Sequence, residues 1–191
     1  PGTPPTRIGM SIGDIGSGLY ATIGVQAALF HRQLTGEATK VDIGMLDCQL
    51  ALLENAVMRY QVSGTAPGPL GARHPSITPF EAYKTKDGYI IISAGNDGLF
   101  AKLAEALENP GWAENPDYSS NDNRNKHVEK LKTEMESVLT AHTTSHWIAV
   151  LDKFGVPSGP INDIGQAATH PQTIARNMIV SVDDPITGPM K

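Results

Sequence analysis

One cysteine, Cys48, is all the thiol chemistry that the 191-residue chain holds. A disulfide framework within the chain is thereby excluded, and the usage suits a reducing cytoplasm. Cys48 lies inside an apolar helical run and reads as a small buried hydrophobe. Long hydrophobic runs are missing too. All are interrupted well short of the ~20 residues that cross a bilayer, so no transmembrane helix is expected. No basic segment leads into an apolar one, so no signal peptide is expected either. Positive charge is scarce, with 15 Lys and Arg against 20 Asp and Glu, a net charge of −5. This argues against a general nucleic-acid-binding surface and leaves room for a local basic pocket. Phosphate loops, a GxSxG elbow, HExxH and paired cysteines are absent. His31, His74, His127, His142, His146 and His170 do not form a metal pattern. His142 and His146 are four apart, but Thr143, Thr144 and Ser145 break the helix between them, so no metal is expected.

What is present reads as alternating helices and short strands. Asp14 is an N-cap type of residue. After it Leu19, Ile23, Ala27 and Phe30 recur at helical spacing, and Gly36 supplies a stop. This helix over 14–35 is rich in Gly, Ala and Ser, which lets another backbone approach closely. Residues 40–45 predict a strand, and 46–63 a second helix closed by Gly64. Residues 64–79, GTAPGPLGARHPSITP, are crowded with Gly and Pro and mark a linker. Two β-rich runs around Lys86-Asp87-Gly88 predict a hairpin. Asn96 is placed to cap a helix over 97–107; PGWAENPDYSS reads as a loop. Further helices are predicted over 121–141, from Thr144 or Ser145 through Phe154, and over about 163–168. FGVPSGPIN reads as a rigid turn, and NMIVSVDDP as a final strand. The chain opens without Met on a Pro-rich, extended-type segment and closes after a Gly-Pro turn, so it reads as a piece of something longer.

Two segments carry candidate chemistry, and a third, the rigid turn FGVPSGPIN (154–162), can line a substrate channel. In GDIGSG (13–18), Asp14 falls where the positive end of a helix dipole favours an anion. Gly13 and Gly16 remove bulk around it, so a ligand can reach the carboxylate and the free N–H groups together. Such a carboxylate can act as a nucleophile, and the N–H groups can stabilise an oxyanion. The pattern is not a dinucleotide fingerprint, and spacing alone favours a plain N-cap. In PLGARHP (69–75), Gly71 gives backbone freedom, while Arg73 and His74 offer donors or positive charge for a phosphate or carboxylate. A solvated linker with incidental charge reads equally well.

An ordered set of residues resembles the class III CoA-transferases, the family of formyl-CoA transferase and carnitine CoA-transferase. The set comprises Gly13-Asp14, Gly24 with Ala27-Ala28-Leu29, Arg32, Thr35-Gly36 and Val41-Asp42. It continues with the Gly71–Tyr83 stretch, the Asp-Gly hairpin, GVPSGPIN and His170–Met178. The resemblance implies an α/β fold: 1–63 as the end of a Rossmann-like large-domain segment, 64–79 as linker, 80–170 as a small α+β domain and 171–191 as a return segment. It also implies that an N-terminal part is missing. Asp14 takes the place of the catalytic aspartate, and Gly13, Gly16, Gly71, Arg73 and His74 become candidates for contacting coenzyme A. The implied reaction moves CoA between an acyl-CoA and a small carboxylic acid, through an aspartyl anhydride and an aspartyl-CoA thioester, without a metal. The implied partners exclude nucleic acid and membrane; a cytoplasmic homodimer is expected. The sequence departs from the family at Glu37-Ala38-Thr39, where a Gly-Gln type pair is common. The glycine-rich lid of formyl-CoA transferase is reduced to Gly68 and Gly71, so oxalate and formate are not implied.

Two alternatives stand beside the transferase. An α-methylacyl-CoA racemase-like activity shares the Asp but adds a His upstream and a Glu in the small domain, where this chain has Asn96. A non-catalytic folding or dimerisation unit is the other, because half of an α/β sheet exposes edges and apolar helix faces.

Overall fold

The computed structural model describes residues 6–190. Most of the Pro-rich opening, residues 1–5, lies outside them. The chain divides into two compact units between Pro69 and Leu70.

The first unit is helical. Helix α1 (Ile12–Thr35) begins two residues before Asp14, with Ser11 at the N-cap position. It ends as predicted at Gly36, whose φ of 79° suits glycine and whose N–H donates to Arg32 O at 2.8 Å. The strand predicted over 40–45 does not form. Residues 37–44 are irregular, and Val41 and Ile43 lie against Gly24 of α1. A strand exists through its hydrogen-bonded partner, and no described residue pairs with this segment. The small-residue stripe does admit a close neighbour: a Cβ on Gly24 would stand 2.7 Å from Val41 Cγ1. The single helix predicted over 46–63 is two, α2 (Met45–Leu52) and α3 (Glu54–Ser63). Between them Leu53 N–H is shared by Gln49 O at 3.2 Å and Leu50 O at 3.1 Å. Cys48 is buried, as its setting predicts. Gly16 and Cys48 are the only buried residues among the described ones of this unit. Leu19, Ile23 and Phe30, the periodic apolar face of α1, are each more than 60% exposed.

The second unit has a three-stranded sheet. Strands β1 (Phe80–Lys84) and β2 (Tyr89–Ser93) form the predicted hairpin, with Lys84 opposite Tyr89. Helix α4 (Asp97–Ala106) starts at Asn96, whose Oδ1 accepts from Leu99 N at 2.9 Å. A single turn, α5 (Gly111–Glu114), interrupts the predicted loop. The long helix predicted over 121–141 is split at His127 into α6 (Asn121–Lys126) and α7 (Val128–Leu139). Helix α8 (Thr144–Lys153) follows, capped by Thr143. The GVPSGP turn contributes a third strand, β3 (Ser158–Pro160), antiparallel to β2. Pro160 is tolerated because β3 is an edge strand. Helices α9 (Ile164–Thr169) and α10 (Pro171–Ala175) precede a hairpin of β4 (Val182–Asp184) and β5 (Gly188–Met190), where the sequence predicts one strand.

The core sits between the sheet and α4, α7 and α8. Tyr83, Ile90 and Ile92 meet Phe100 and Leu103 of α4, Leu131, Met135 and Leu139 of α7, and Trp147 and Leu151 of α8. Glu81 shares the inner face of β1 and is satisfied by Lys132 of α7. Burial, reinforced by the Glu81 and Glu136 carboxylates, pushes the Tyr83 phenol well above its ordinary range. The hairpin turn is tied to α8 by Asp87, which accepts from Thr144 N at 2.7 Å, Thr144 Oγ1 at 3.0 Å and Thr85 Oγ1 at 3.3 Å. These bonds, the Thr144 N–H first, hold the Asp87 carboxyl below its ordinary value.

Two outcomes follow. Leu131 is fully buried, so Leu131→Ala should lower unfolding free energy by about 2–5 kcal/mol in urea denaturation. A depressed folded-state pKa gives stability that is present above the ordinary carboxylate value, about 4, and is lost as pH falls through the folded value. Asp87→Ala should therefore lower the melting temperature at neutral pH and flatten its decline below pH of about 4, read by circular dichroism.

Candidate functional site

Asp14 is not the N-cap that the sequence predicts. It is the third residue of α1, and the cap position belongs to Ser11, whose side chain makes no capping bond. Among the described residues the Asp14 carboxylate accepts no hydrogen bond and forms no ion pair, and the residue is exposed. Its position in the first turn places an anion in the field of the unpaired helix N–H groups, an effect worth roughly 0.3–1 kcal/mol at a surface. The carboxylate is thus available rather than committed to the backbone.

The two flanking glycines differ. Gly16 is buried against α2: a Cβ there would stand 2.8 Å from Leu52 Cδ1. Its missing side chain makes room for Leu52. Gly13 faces Gln49 of α2, with Gln49 Nε2 at 3.4 Å from the place of a Gly13 Cβ. Gln49 is half-buried, its carboxamide lies against Gly13, and its Nε2 donates to Met45 O at 3.4 Å. The sequence reading missed it. The available signal was a lone amide inside the apolar run MLDCQLALL.

Gly71, Arg73 and His74 belong to the second unit. Gly71 has φ of 63°, which favours glycine, in a turn closed by Arg73 N–H donating to Leu70 O at 3.3 Å. The half-buried Arg73 makes no ion pair among the described residues. His74 has two jobs in its own loop. Its N–H donates to Phe80 O at 2.8 Å, and its Nδ1 accepts from Ser76 N at 3.2 Å and Ile77 N at 3.1 Å. The structure therefore brings Gly13, Asp14, Gly16 and Gln49 together in the first unit, and Gly71, Arg73 and His74 in one loop of the second.

Two of the other histidines are held locally. His142 and His146 stack with ring centroids 4.2 Å apart, and both meet Trp147 edge-on. Among the described residues, no group of three or more His, Cys, Asp or Glu could hold a metal ion. No helix among them is long and apolar enough to cross a membrane. Asn96, standing where a racemase-type Glu is sought, is occupied as the cap of α4.

The chain is mixed α/β, with an exposed carboxylate in the first turn of α1 and with Arg73 and His74 in one loop of the second unit. The comparisons name the family. The model of CoA-transferase family III matches residues 1–191, and the chain belongs to that family. It is 38% identical over 181 residues to an acetyl-CoA:oxalate CoA-transferase of Acetobacter aceti, covering 94% of this chain and 46% of that protein. It is 35% identical to a succinate–glutarate CoA-transferase of Agrobacterium fabrum, covering 96% and 46%. A crystal structure of a CAIB/BAIF family protein from Brucella suis superposes with a TM-score of 0.78 at 36% identity, covering 96% of this chain and 48% of that one. The chain spans about half the length of the curated relatives it matches.

Proposed function

We propose that this chain is part of a longer enzyme that transfers coenzyme A from an acyl-CoA to a small carboxylic acid, with Asp14 as the nucleophile. The observation that carries this reading is the Asp14 carboxylate, exposed in the first turn of α1 and unpaired among the described residues. The Asp14 carboxylate attacks the thioester carbonyl, forms a mixed anhydride and expels CoA thiolate. The thiolate then attacks the aspartyl carbonyl, which gives an aspartyl-CoA thioester and releases the donor acid. The acceptor carboxylate attacks that thioester, forms a second anhydride and again frees CoA thiolate. Attack of the thiolate on the new acyl group yields the product acyl-CoA and restores Asp14. Thioester and acid are exchanged on both sides, so the reaction is nearly isoenergetic. The enzyme has to supply a nucleophile, oxyanion donors and exclusion of water.

In this reading Gly13 opens the approach to Asp14, Gly16 sets the spacing to α2, and Gln49 offers an oxyanion donor. Gly71, Arg73 and His74 contact coenzyme A or the acid. Residues 1–63 close a Rossmann-like large domain, 80–170 form the small domain, and 171–191 lead back to the first. The exposed face of α1 to α3 packs against the remainder of the parent and supports a homodimer.

Asp14→Asn in the parent should lower turnover by at least about a thousandfold, on the scale of removing a nucleophile or its base. Acyl-CoA followed by hydroxylamine should modify Asp14, read by mass spectrometry. Undiminished turnover in the Asn variant would sink the reading. Deuterium uptake at the α-carbon without an acceptor acid would replace transfer with racemase chemistry.

A further inference from the structure

We propose that His74 binds substrate through one hydrogen bond, donated by Nε2–H to an oxygen of the acyl-CoA or acid, and that Asn121, Arg124 and Asn125 of α6 are positioning residues for the loop that aims it. The proposal rests on the reading that the Arg73–His74 loop belongs to the substrate site.

The tautomer follows from the partners. Both groups against Nδ1 are backbone N–H donors, so Nδ1 accepts and carries no proton. The single ring proton of a neutral imidazole is then on Nε2. Pro75 has no N–H, which makes Ser76 the first backbone donor after the histidine. The ring plane is fixed as well, stacked on Phe80 at a centroid distance of 5.1 Å and an interplanar angle of 4°. One polar atom of the side chain is left over, and it is a donor. Carboxylate, thioester carbonyl and phosphate oxygens are its matching acceptors. A nitrogen that already holds a proton cannot remove one from carbon, so this ring is not a base for racemisation.

Helix α6 holds the loop from the other side. Asn121 Nδ2 and Asn125 Nδ2 both donate to Ser76 O, at 2.9 and 2.8 Å. Thr78 N donates to Asn121 Oδ1 at 3.1 Å, and Thr78 Oγ1 donates to Asn125 Oδ1 at 2.7 Å. Arg124 Nε donates to Thr78 O at 2.7 Å. The second His-Pro pair provides an internal contrast. His170 Nδ1 accepts from Gln172 N at 3.2 Å and caps α10. That exposed ring accepts one N–H where His74 accepts two. A turn is closed there with far less apparatus, so the fixation of His74 exceeds what a cap needs.

The first test reads the tautomer in the parent enzyme by 15N-imidazole NMR, with His74→Asn assigning the signals. Unprotonated Nδ1 and protonated Nε2 are expected; a protonated Nδ1 overturns the proposal. The second uses the same enzyme. In His74→Asn the side-chain oxygen replaces Nδ1 as acceptor, while the amide NH2 stops short of the place of Nε2, so the donor there is lost. Melting should be unchanged, while the Kd for acyl-CoA or the KM for the acid rises about tenfold, one hydrogen bond's worth. Asn125→Ala removes the acceptor of the buried Thr78 hydroxyl, so it should lower melting, and beyond that it should average the His74 tautomer signals and weaken the same binding. Unchanged binding in His74→Asn reduces His74 to a cap like His170 and overturns the proposal. The two readings fail separately. Full turnover in Asp14→Asn with weakened binding in His74→Asn removes the transfer mechanism alone, and the reverse pattern removes this inference alone.

Discussion

A guanidinium with no solvent exposure organises the second unit. Arg124 donates from Nε to Thr78 O, from one terminal nitrogen to Tyr118 O at 2.8 Å, and from the other to Asp97 Oδ1 at 2.7 Å. Its carbon lies 4.5 Å from the centroid of the Phe100 ring. A buried cation left without such partners costs several kcal/mol, so the partners are obligatory. They come from three places: the residues leading into β1, the loop before α6, and the first turn of α4. One side chain thus joins the hairpin entry, a loop and a helix start. Thr78 is only four residues from His74, so core packing and loop geometry are one problem.

The two units solve burial differently. In the second, the sheet and three helices enclose a continuous core, and even Glu81 on the inner face has its Lys132. In the first, the helices hold Leu34 at 70% and Val62 at 82% exposure. Isolated helices as short as α2 and α3, eight and ten residues, are marginal in water, and helical stability in proteins comes mostly from packing of an apolar face. Apolar faces of this extent mark a surface built to be covered. A parent about twice as long, with the remaining half of a large domain, supplies that cover in the proposed reading.

What the sequence disclosed was the locally determined part. The Asp-Gly hairpin, the Asn96 cap, and the Gly36 and Gly64 stops are each fixed by one or two residues with a single favourable geometry. The misses have physical causes. Residues 40–45 have β-type composition, but a strand is a property of two segments, and its partner is not among the described residues. The break at Leu53 has no Gly or Pro to announce it. At His127 the ring nitrogen Nδ1 lies 3.0 Å from Asn123 O, so a side chain competes with the helical ladder. Strand β3 was hidden inside a Gly-Pro turn because edge strands tolerate residues that central strands do not. Of the candidate site, the residue types Asp14, Arg73 and His74 were legible, whereas the cap position expected for Asp14 belongs to Ser11. That His74 commits one nitrogen to its own backbone, and that Gln49 stands beside Gly13, required the fold.

Helices α1 and α9 start on the same four-residue spacing and use it differently. Ser11-Ile12-Gly13-Asp14 has the spacing of a capping box, a hydroxyl residue followed three positions later by an acid. Asp163 and Gln166 use that spacing fully: Gln166 N donates to Asp163 Oδ1 at 2.7 Å, and Asp163 N donates to Gln166 Oε1 at 2.9 Å. At α1 neither reciprocal bond forms. Aspartate is one methylene shorter than the Glu or Gln that normally reaches back from this position, which favours a carboxylate that stays forward. The helix start gives up a stabilising contact that the same protein makes elsewhere. A group withheld from its local partner at a cost in stability is the expected signature of a group kept for a ligand, which is the role proposed for Asp14.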